Sequence, residues 1–147
     1  MLSDGDLIRN LLGTYCELID RADYDGVGAL FGDGCVLAAE DGTELARGAV
    51  AIADHFRGMV KLHDGAQRTK HIVTNIVLTE EPDREMTARS SFVVFQATEQ
   101  LPLQPIVCGR YADRFRRDDG EGTWRWVERR YAADLVGHLS QHLGRLG

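Results

Sequence analysis

The sequence predicts an α+β fold in which three N-terminal helices pack on a strongly curved, mixed or antiparallel sheet and enclose a pocket. Apolar residues recur at helical spacing through the first part of the chain. After His63-Asp64-Gly65 the period becomes strand-like, and four long strand-like segments follow with hairpin connectors between them. Helices followed by a run of strands are typical of α+β architecture and not of a doubly wound fold.

The first predicted helix has one apolar face and ends at Arg21-Ala22-Asp23. Ser3 or Asp4 can cap its N-terminus, and acidic residues in its first turn suit the helix dipole. The positions that define its buried face are Leu7, Ile8, Leu11, Leu12, Tyr15, Leu18 and Ile19.

Two more helices and two short strands complete the N-terminal half. Asp23 caps a short second helix, whose apolar face includes Phe31 and which ends at Gly32-Asp33-Gly34. The remaining elements are short strands at 35–39 and 44–47 and a third helix over about 49–62.

Four long strands are predicted near 68–80, 85–99, 105–117 and 123–134, because these segments are rich in β-branched and aromatic residues. Consecutive strands joined by short polar connectors form an antiparallel meander, and strands of about 12 residues curl a sheet strongly. A helix across the concave face then leaves a cavity of the kind that binds small ligands. A short terminal helix is expected from His138 to Leu146.

Size and charge limit the classes of function. A chain of 147 residues is the usual size of one domain, which we expect to span 1–147. The net charge of −6 and the pI of about 5.3 argue against a nucleic-acid partner and against docking on an anionic membrane. The acidic N-terminus lacks an apolar signal-peptide core, and no run is long enough to span a membrane, so we expect a cytoplasmic protein.

The cysteines give no framework for a metal or a disulfide. Cys16, Cys35 and Cys108 are odd in number and far apart, and no CxxC pair occurs. We expect free thiols in a reducing compartment and no metal site.

Segments along nearly the whole chain carry a family resemblance. They are 15–26, 29–31, Gly48 with the helix after it, 69–75, 109–115 and Trp124-Arg125-Trp126. Together they resemble the SnoaL-like group of the NTF2-like superfamily, near scytalone dehydratase and bile acid dehydratase. The resemblance implies a cone-shaped fold, a small organic substrate, no cofactor, and a homodimer formed through the outer face of the sheet. This fold also hosts isomerases, cyclases, epoxide hydrolases and non-catalytic binders.

The resemblance places three catalytic residues at Tyr15, Asp20 and His71. An imidazole such as His71 can accept and return a proton near neutral pH. An aspartate fixes the tautomer of a histidine and supports its imidazolium, and a buried phenol can polarise a carbonyl or assist a leaving hydroxyl. Simpler roles stay open: a core or surface histidine, a solvated acid beside Arg21, and a core tyrosine.

The spacing of Tyr15 and Asp20 limits how they can cooperate. Five residues correspond to roughly 140° around an ideal helix, so the two side chains do not share a face. They converge only if the pocket wraps around the end of the helix. Tyr15 also matches the oxyanion-binding tyrosine of ketosteroid isomerases, but Ala39 falls where their catalytic aspartate stands.

Four further residues are predicted to bind the substrate: His55, Asn75, Phe31 and Tyr111. His55 falls on the inner side of the third helix, and Asn75 is four residues after His71, so a regular strand places both on one face. Tyr111 and Asp113 alternate with arginines, and the sequence leaves open which set faces inward.

Two other clusters are interpreted as structural. His138 and His142 have the i, i+4 spacing of a helical metal site, but without a third ligand a surface or dimer contact is favoured. A solvated outer face is predicted for the interleaved arginines Arg114, Arg116, Arg117, Arg125, Arg129 and Arg130.

The sequence thus favours a cofactor-free, dehydratase-type lyase acting on a small hydroxylated carbonyl compound, such as a polyketide, steroid or aromatic-pathway intermediate. In this scheme His71 removes the proton alpha to the carbonyl. A non-catalytic binder of small molecules is the alternative of a different class, and an isomerase or cyclase would use the same pocket.

Overall fold

The computed structural model describes residues 1–119 and 122–144 and has the predicted α+β architecture. Three helices pack on a six-stranded mixed sheet. In chain order the elements are α1 (Asp4–Asp20), α2 (Tyr24–Phe31), β1 (Cys35–Ala38), β2 (Glu44–Arg47), α3 (Ala49–Met59), β3 (Thr69–Glu81), β4 (Glu85–Gln96), β5 (Gln104–Arg117) and β6 (Trp124–Val136).

The sheet has the strand order β2-β1-β6-β5-β4-β3. The four long strands form the predicted antiparallel meander. β1 lies parallel to β6, with Cys35 opposite Glu128, and antiparallel to β2. The sheet is therefore mixed, and β2 and β3 are its edges.

Local capping explains where the first two helices begin. The Ser3 hydroxyl accepts a hydrogen bond from the backbone N–H of Asp6, and the Asp6 carboxylate accepts one from the backbone N–H of Ser3. The Asp23 carboxylate accepts from Gly26 N–H at the start of α2. Each cap satisfies a donor that the first helical turn leaves unpaired.

A dense aromatic core joins the helices to the inner face of the sheet. Trp126 and Phe31 are fully buried, and their rings stack at 5.0 Å. A second buried cluster contains Phe92, Ile106 and Tyr111. Members of both clusters line a cavity that lies between them.

The segment after β6 corrects two predictions. α3 ends at Met59 and not at 62, because Val60 is extended and forms a β-bridge with Leu143. The predicted helix from His138 is wrong for residues 138–144, which form a single turn closed by the bond from Leu143 N–H to the carbonyl of Leu139. Leu146 lies outside the described residues.

Two expectations concern thiols and membranes. Cys16 and Cys35 are buried free thiols, and Cys108 is a half-buried free thiol. In the described part of the chain, no helix is long and apolar enough to cross a membrane.

Candidate active site

A cavity of about 230 Å³ lies between α1, the end of α3, the inner face of β3–β6 and the segment that follows β6. Its polar lining consists of Gln67, His71 and His142 with the tyrosines 15, 111 and 131. The apolar lining is Ile19, Phe56, Met59, Val60, Phe92, Val94, Val107, Ala133, Leu139 and Leu143. A mostly apolar wall with a few polar groups is typical of a small-molecule site.

His71 is hydrogen-bonded to Asp20 at the wall of this cavity. The Nδ1 atom lies 2.6 Å from Asp20 Oδ1, and the backbone N–H of His71 donates to Oδ2 at 2.9 Å. Because an ionised carboxylate only accepts, this network assigns the ring proton to Nδ1. The lone pair of Nε2 is then available to a molecule in the cavity.

A chain of side-chain hydrogen bonds also ends at the Asp20 carboxylate. The Tyr24 hydroxyl donates to Gln67 Oε1 at 2.6 Å, and Gln67 Nε2 donates to Thr69 Oγ1 at 2.9 Å. Thr69 in turn donates to Asp20 Oδ1 at 2.9 Å. Every donor in this chain points toward Asp20, and the chain holds the orientation of its carboxylate.

Tyr15 and Asp20, which lie near and at the end of α1, do not both line the cavity. Tyr15 lines the cavity, whereas Asp20, the last residue of α1, lies behind His71 and is not part of the lining. The two side chains therefore do not converge, and Asp20 borders the cavity only through its bond to His71.

Tyr15 is enclosed by aromatic rings. Its ring lies 5.6 Å from that of Trp126 and about edge-on to those of Phe31, Phe56 and Tyr111. Burial raises the pKa of Tyr15 to about 12, against the opposing effect of a nearby positive charge. The phenol is therefore protonated at neutral pH and can donate a hydrogen bond.

That positive charge is Arg129, and its position corrects a prediction. Arg129 is 1% exposed and lies in the core, not on a solvated outer face. It donates two hydrogen bonds to the buried Asp113, at 2.8 and 3.0 Å, and its Cζ lies 3.4 Å from the centre of the Tyr111 ring. Burial opposes the charge of Arg129, but the adjacent Asp113 keeps its pKa above the ordinary value. Tyr111 and Asp113 thus belong to the set that faces inward, and Tyr111 lines the cavity.

Two predicted substrate-binding residues lie outside the cavity. Phe31 belongs to the aromatic core beneath it. His55 is half-buried against Phe56 and is not part of the lining, although its Nε2 has no hydrogen-bond partner in the described residues. The structure places neither side chain where it contacts a molecule in the cavity.

The prediction that Asn75 shares a face with His71 is wrong. The pairing of β3 with β4 shifts register between Thr74 and Val77, and Asn75 has a left-handed backbone with a φ of 54°. This β-bulge adds one residue and reverses the alternation of the strand. Asn75 is therefore exposed and lies in a groove with Arg89 and Arg110.

Comparison with known families decides the wider assignment. The profile of the SnoaL-like domain matches residues 1–130, which is most of the chain. The chain belongs to the SnoaL-like family. No curated protein matches it.

Solved structures similar to this SnoaL-like chain support the same fold. One is a variant of a Mycobacterium tuberculosis protein of unknown function, 29% identical over 88% of this chain and 71% of that chain, with a TM-score of 0.69. Another is an NTF2-like protein with a cystatin-like fold from Novosphingobium aromaticivorans, 26% identical over 89% and 82%, with a TM-score of 0.70. A candidate scytalone dehydratase from the same organism, 20% identical over 98% and 95% with a TM-score of 0.69, shows the fold alone.

Three polar residues of this SnoaL-like cavity, Gln67, Tyr131 and His142, are not among the site residues that the sequence predicts. His142 is 8% exposed and lines the cavity, with its ring 6.4 Å from that of His71. The sequence predicts a surface or dimer contact for His142, and its burial contradicts that prediction. The segment around His142 has no regular alternation of apolar and polar residues. The sequence therefore carries no signal that the His142 side chain faces inward. Among the described residues, no group of three or more His, Cys, Asp or Glu side chains is arranged to hold a metal ion.

Proposed function

We propose that this chain is a cofactor-independent lyase of the dehydratase type, which removes water from a small hydroxylated carbonyl compound. One observation carries the proposal: His71 lines a mostly apolar cavity while its Nδ1 is held by Asp20 at 2.6 Å. A histidine oriented by a carboxylate, with its second nitrogen free, is the arrangement of a general base.

The lining of the cavity supports the substrate class. Its walls are aliphatic and aromatic, and its few polar groups are imidazole, phenol and amide. Such a site suits a compound with an apolar ring system and one or two oxygen functions, such as a polyketide, steroid or aromatic-pathway intermediate. The fold likeness to a candidate scytalone dehydratase is compatible with this class.

The proposed reaction balances without a cofactor. His71 Nε2 takes the proton alpha to the carbonyl, and the electron pair of that C–H bond forms an enolate. The β C–O bond then breaks, and the departing hydroxide takes the proton back from the His71 imidazolium as water. Asp20 stabilises the imidazolium between the two steps, and the Tyr15 phenol donates to a substrate oxygen.

The test is the His71→Ala variant, assayed with a panel of β-hydroxy ketones. Since a positioned base contributes typically 10²–10⁴-fold, we expect turnover to fall by about that factor while circular dichroism and the thermal midpoint show a retained fold. His138→Ala, at an exposed histidine, is the matched control and is expected to keep full turnover. Unchanged turnover in His71→Ala would exclude the proposed role.

Small-molecule binding without turnover is the function of a different class. A binder needs the cavity but has no use for a carboxylate oriented by a directed hydrogen-bond chain. An isomerase or cyclase would use the same base, and analysis of the product by mass separates these reactions, since only a dehydratase product has lost water.

A further inference from the structure

His142 has an unusual environment for a histidine. Its side chain is buried at the wall of the cavity, and its Nδ1 is enclosed without a hydrogen-bond partner in the described residues. The ring borders the cavity, and Nε2, unlike Nδ1, is not an enclosed atom without a partner. It is therefore the nitrogen of His142 that a bound molecule can reach.

The backbone around His142 is firmly held. The N–H of Lys61 donates to the carbonyl of His142 at 2.8 Å. The carbonyl of the preceding residue, Gln141, accepts from Gln96 Nε2 at 2.9 Å and lies 2.7 Å from His63 Nε2. These bonds tie the segment to the end of α3 and to β4, so the ring is placed in the cavity by the fold.

The surroundings of His142 keep its imidazole neutral. Burial lowers the pKa of His142 to about 4. The neighbouring His71 also lowers it, Asp20 opposes this, and His63 has the smallest lowering effect. Within residues 1–119 and 122–144, His142 has no carboxylate partner of the kind that Asp20 provides for His71. At neutral pH it therefore carries one ring N–H and one lone pair.

The unpartnered nitrogen indicates which tautomer is present. A buried N–H without an acceptor is rarer in proteins than a buried acceptor without a donor. A lone pair on the enclosed Nδ1 avoids the unmet donor and puts the proton on Nε2. The group that His142 offers to the cavity is then a hydrogen-bond donor, whereas His71 offers an acceptor.

We propose that His142 is a second catalytic residue of the cavity, whose Nε2–H binds the carbonyl oxygen of the substrate. This inference rests on the proposed dehydratase function and refines it. As His71 removes the α-proton, the carbonyl oxygen becomes an enolate oxygen, and the N–H of His142 stabilises its charge. A neutral imidazole can serve in this way, because it donates without giving up its proton. Tyr15 is then left to donate to the departing hydroxyl.

The separation of the two imidazoles fits one small substrate. Their ring centres lie 6.4 Å apart and their planes are inclined by 63°. A hydrogen bond spans about 2.6–3.2 Å, so both rings can reach atoms two bonds apart in one molecule. An α-carbon and its carbonyl oxygen are separated in this way.

The first experiment measures binding and needs no turnover. The probes are 1-tetralone and tetralin, which differ in a carbonyl group. We expect the wild type to prefer the ketone, and His142→Phe to lose about tenfold of that preference, the value of one hydrogen bond. His138→Phe, at the exposed histidine of the same segment, is the control and should keep the preference. An unchanged preference in His142→Phe would overturn the inference.

The second experiment measures turnover with the β-hydroxy ketone panel. We expect His142→Phe to lose about 10²–10³-fold in kcat, the usual effect of removing one oxyanion donor, and His142→Gln to recover part of it through its amide N–H. Full activity in His142→Phe together with a slow His71→Ala variant would refute the role of His142 and leave the dehydratase proposal standing. Full activity in His71→Ala would instead refute the dehydratase proposal.

A third measurement does not depend on the fold of any variant. In wild-type protein labelled with ¹⁵N-histidine, 1-tetralone should shift the Nε2 resonance of His142, and tetralin should leave it in place. Equal effects of the two probes would contradict the hydrogen bond.

Discussion

Asp20 ends α1 at the negative end of the helix dipole, where a carboxylate costs about 0.3–1 kcal/mol. Three donors offset this cost: the His71 ring N–H, the His71 backbone N–H and the Thr69 hydroxyl. An aspartate at this position therefore lowers the stability of the helix slightly, and its carboxylate orients His71.

Replacing Asp20 by Asn tests this role. We expect Asp20→Asn to lower kcat by on the order of 10²–10⁴-fold, because an amide no longer fixes the Nδ1–H tautomer or stabilises the imidazolium. Glu17→Gln removes a charge from an exposed position of the same helix and serves as the control. Equal kcat values for both variants would show that the Asp20–His71 bond is only structural.

The residues in and around the cavity differ in how well their roles could be predicted from the sequence. Tyr15, Asp20 and His71 stand in motifs that resemble a known family, and the structure brings His71 to Asp20. Arg129 and His142 carry no such motif, and their burial depends on contacts with distant parts of the chain. The role of a residue can be predicted from sequence where it stands in a known motif. It cannot be predicted where only tertiary packing decides whether the side chain is buried.

Two irregular strands account for most of these misses. In β6 the register against β5 passes from Trp126 opposite Phe115 to Glu128 opposite Arg114, so that Val127 is extra. The bulge moves the inward positions from Trp124 and Trp126 to Arg129. A bulge in β3 likewise turns Asn75 outward. The alternation of side chains along a strand predicts which face of the sheet each residue is on only up to such a bulge. The extra residue in the bulge puts every following side chain on the opposite face from the one predicted.

The ion pair that follows the β6 bulge should matter for stability. Arg129 and Asp113 are direct cross-strand partners and both are buried. Arg129→Met leaves Asp113 as a buried charge without its partner, so we expect a loss of about 3–5 kcal/mol in the free energy of unfolding, measured with urea.

The double variant Asp113→Leu, Arg129→Met removes both charges and provides the comparison. We expect it to be clearly more stable than Arg129→Met alone, since replacing a whole buried pair by apolar residues is often neutral. If the double variant is the less stable of the two, the cost does not arise from the unpaired carboxylate.

The stability of the folded protein should depend on pH through His142. Its pKa is about 4 when folded and about 6.5 when unfolded, so the unfolded chain binds the extra proton between these values. Stability is therefore complete above pH 6.5 and falls as the pH is lowered toward 4, by up to ~3 kcal/mol.

Urea unfolding of the wild type and His142→Phe across this window measures the contribution. We expect the slope of stability against pH to be smaller in His142→Phe and unchanged in His138→Phe. Parallel curves for the wild type and His142→Phe would show that His142 is not buried in its neutral form.

The fold of the whole chain could be predicted from the sequence more completely than the candidate site. The α+β class, the three helices and the antiparallel meander follow from a change of period near His63, and the structure confirms them. The parallel pairing of β1 with β6 has no local signal, because it joins strands that are distant in sequence. The homodimer and the cytoplasmic location stay predictions.

That parallel pairing bears on how the protein is made. During synthesis, α1, α2 and β1 leave the ribosome long before β6, which supplies the neighbour of β1 and the Trp126 ring that stacks on Phe31. Until β6 emerges, the sheet against which the apolar face of α1 packs is incomplete. Contacts between residues so far apart in sequence also form slowly. The apolar faces of the first helices are therefore exposed to aggregation during synthesis, and the chain must be translated through β6 before the sheet that lines the cavity is complete.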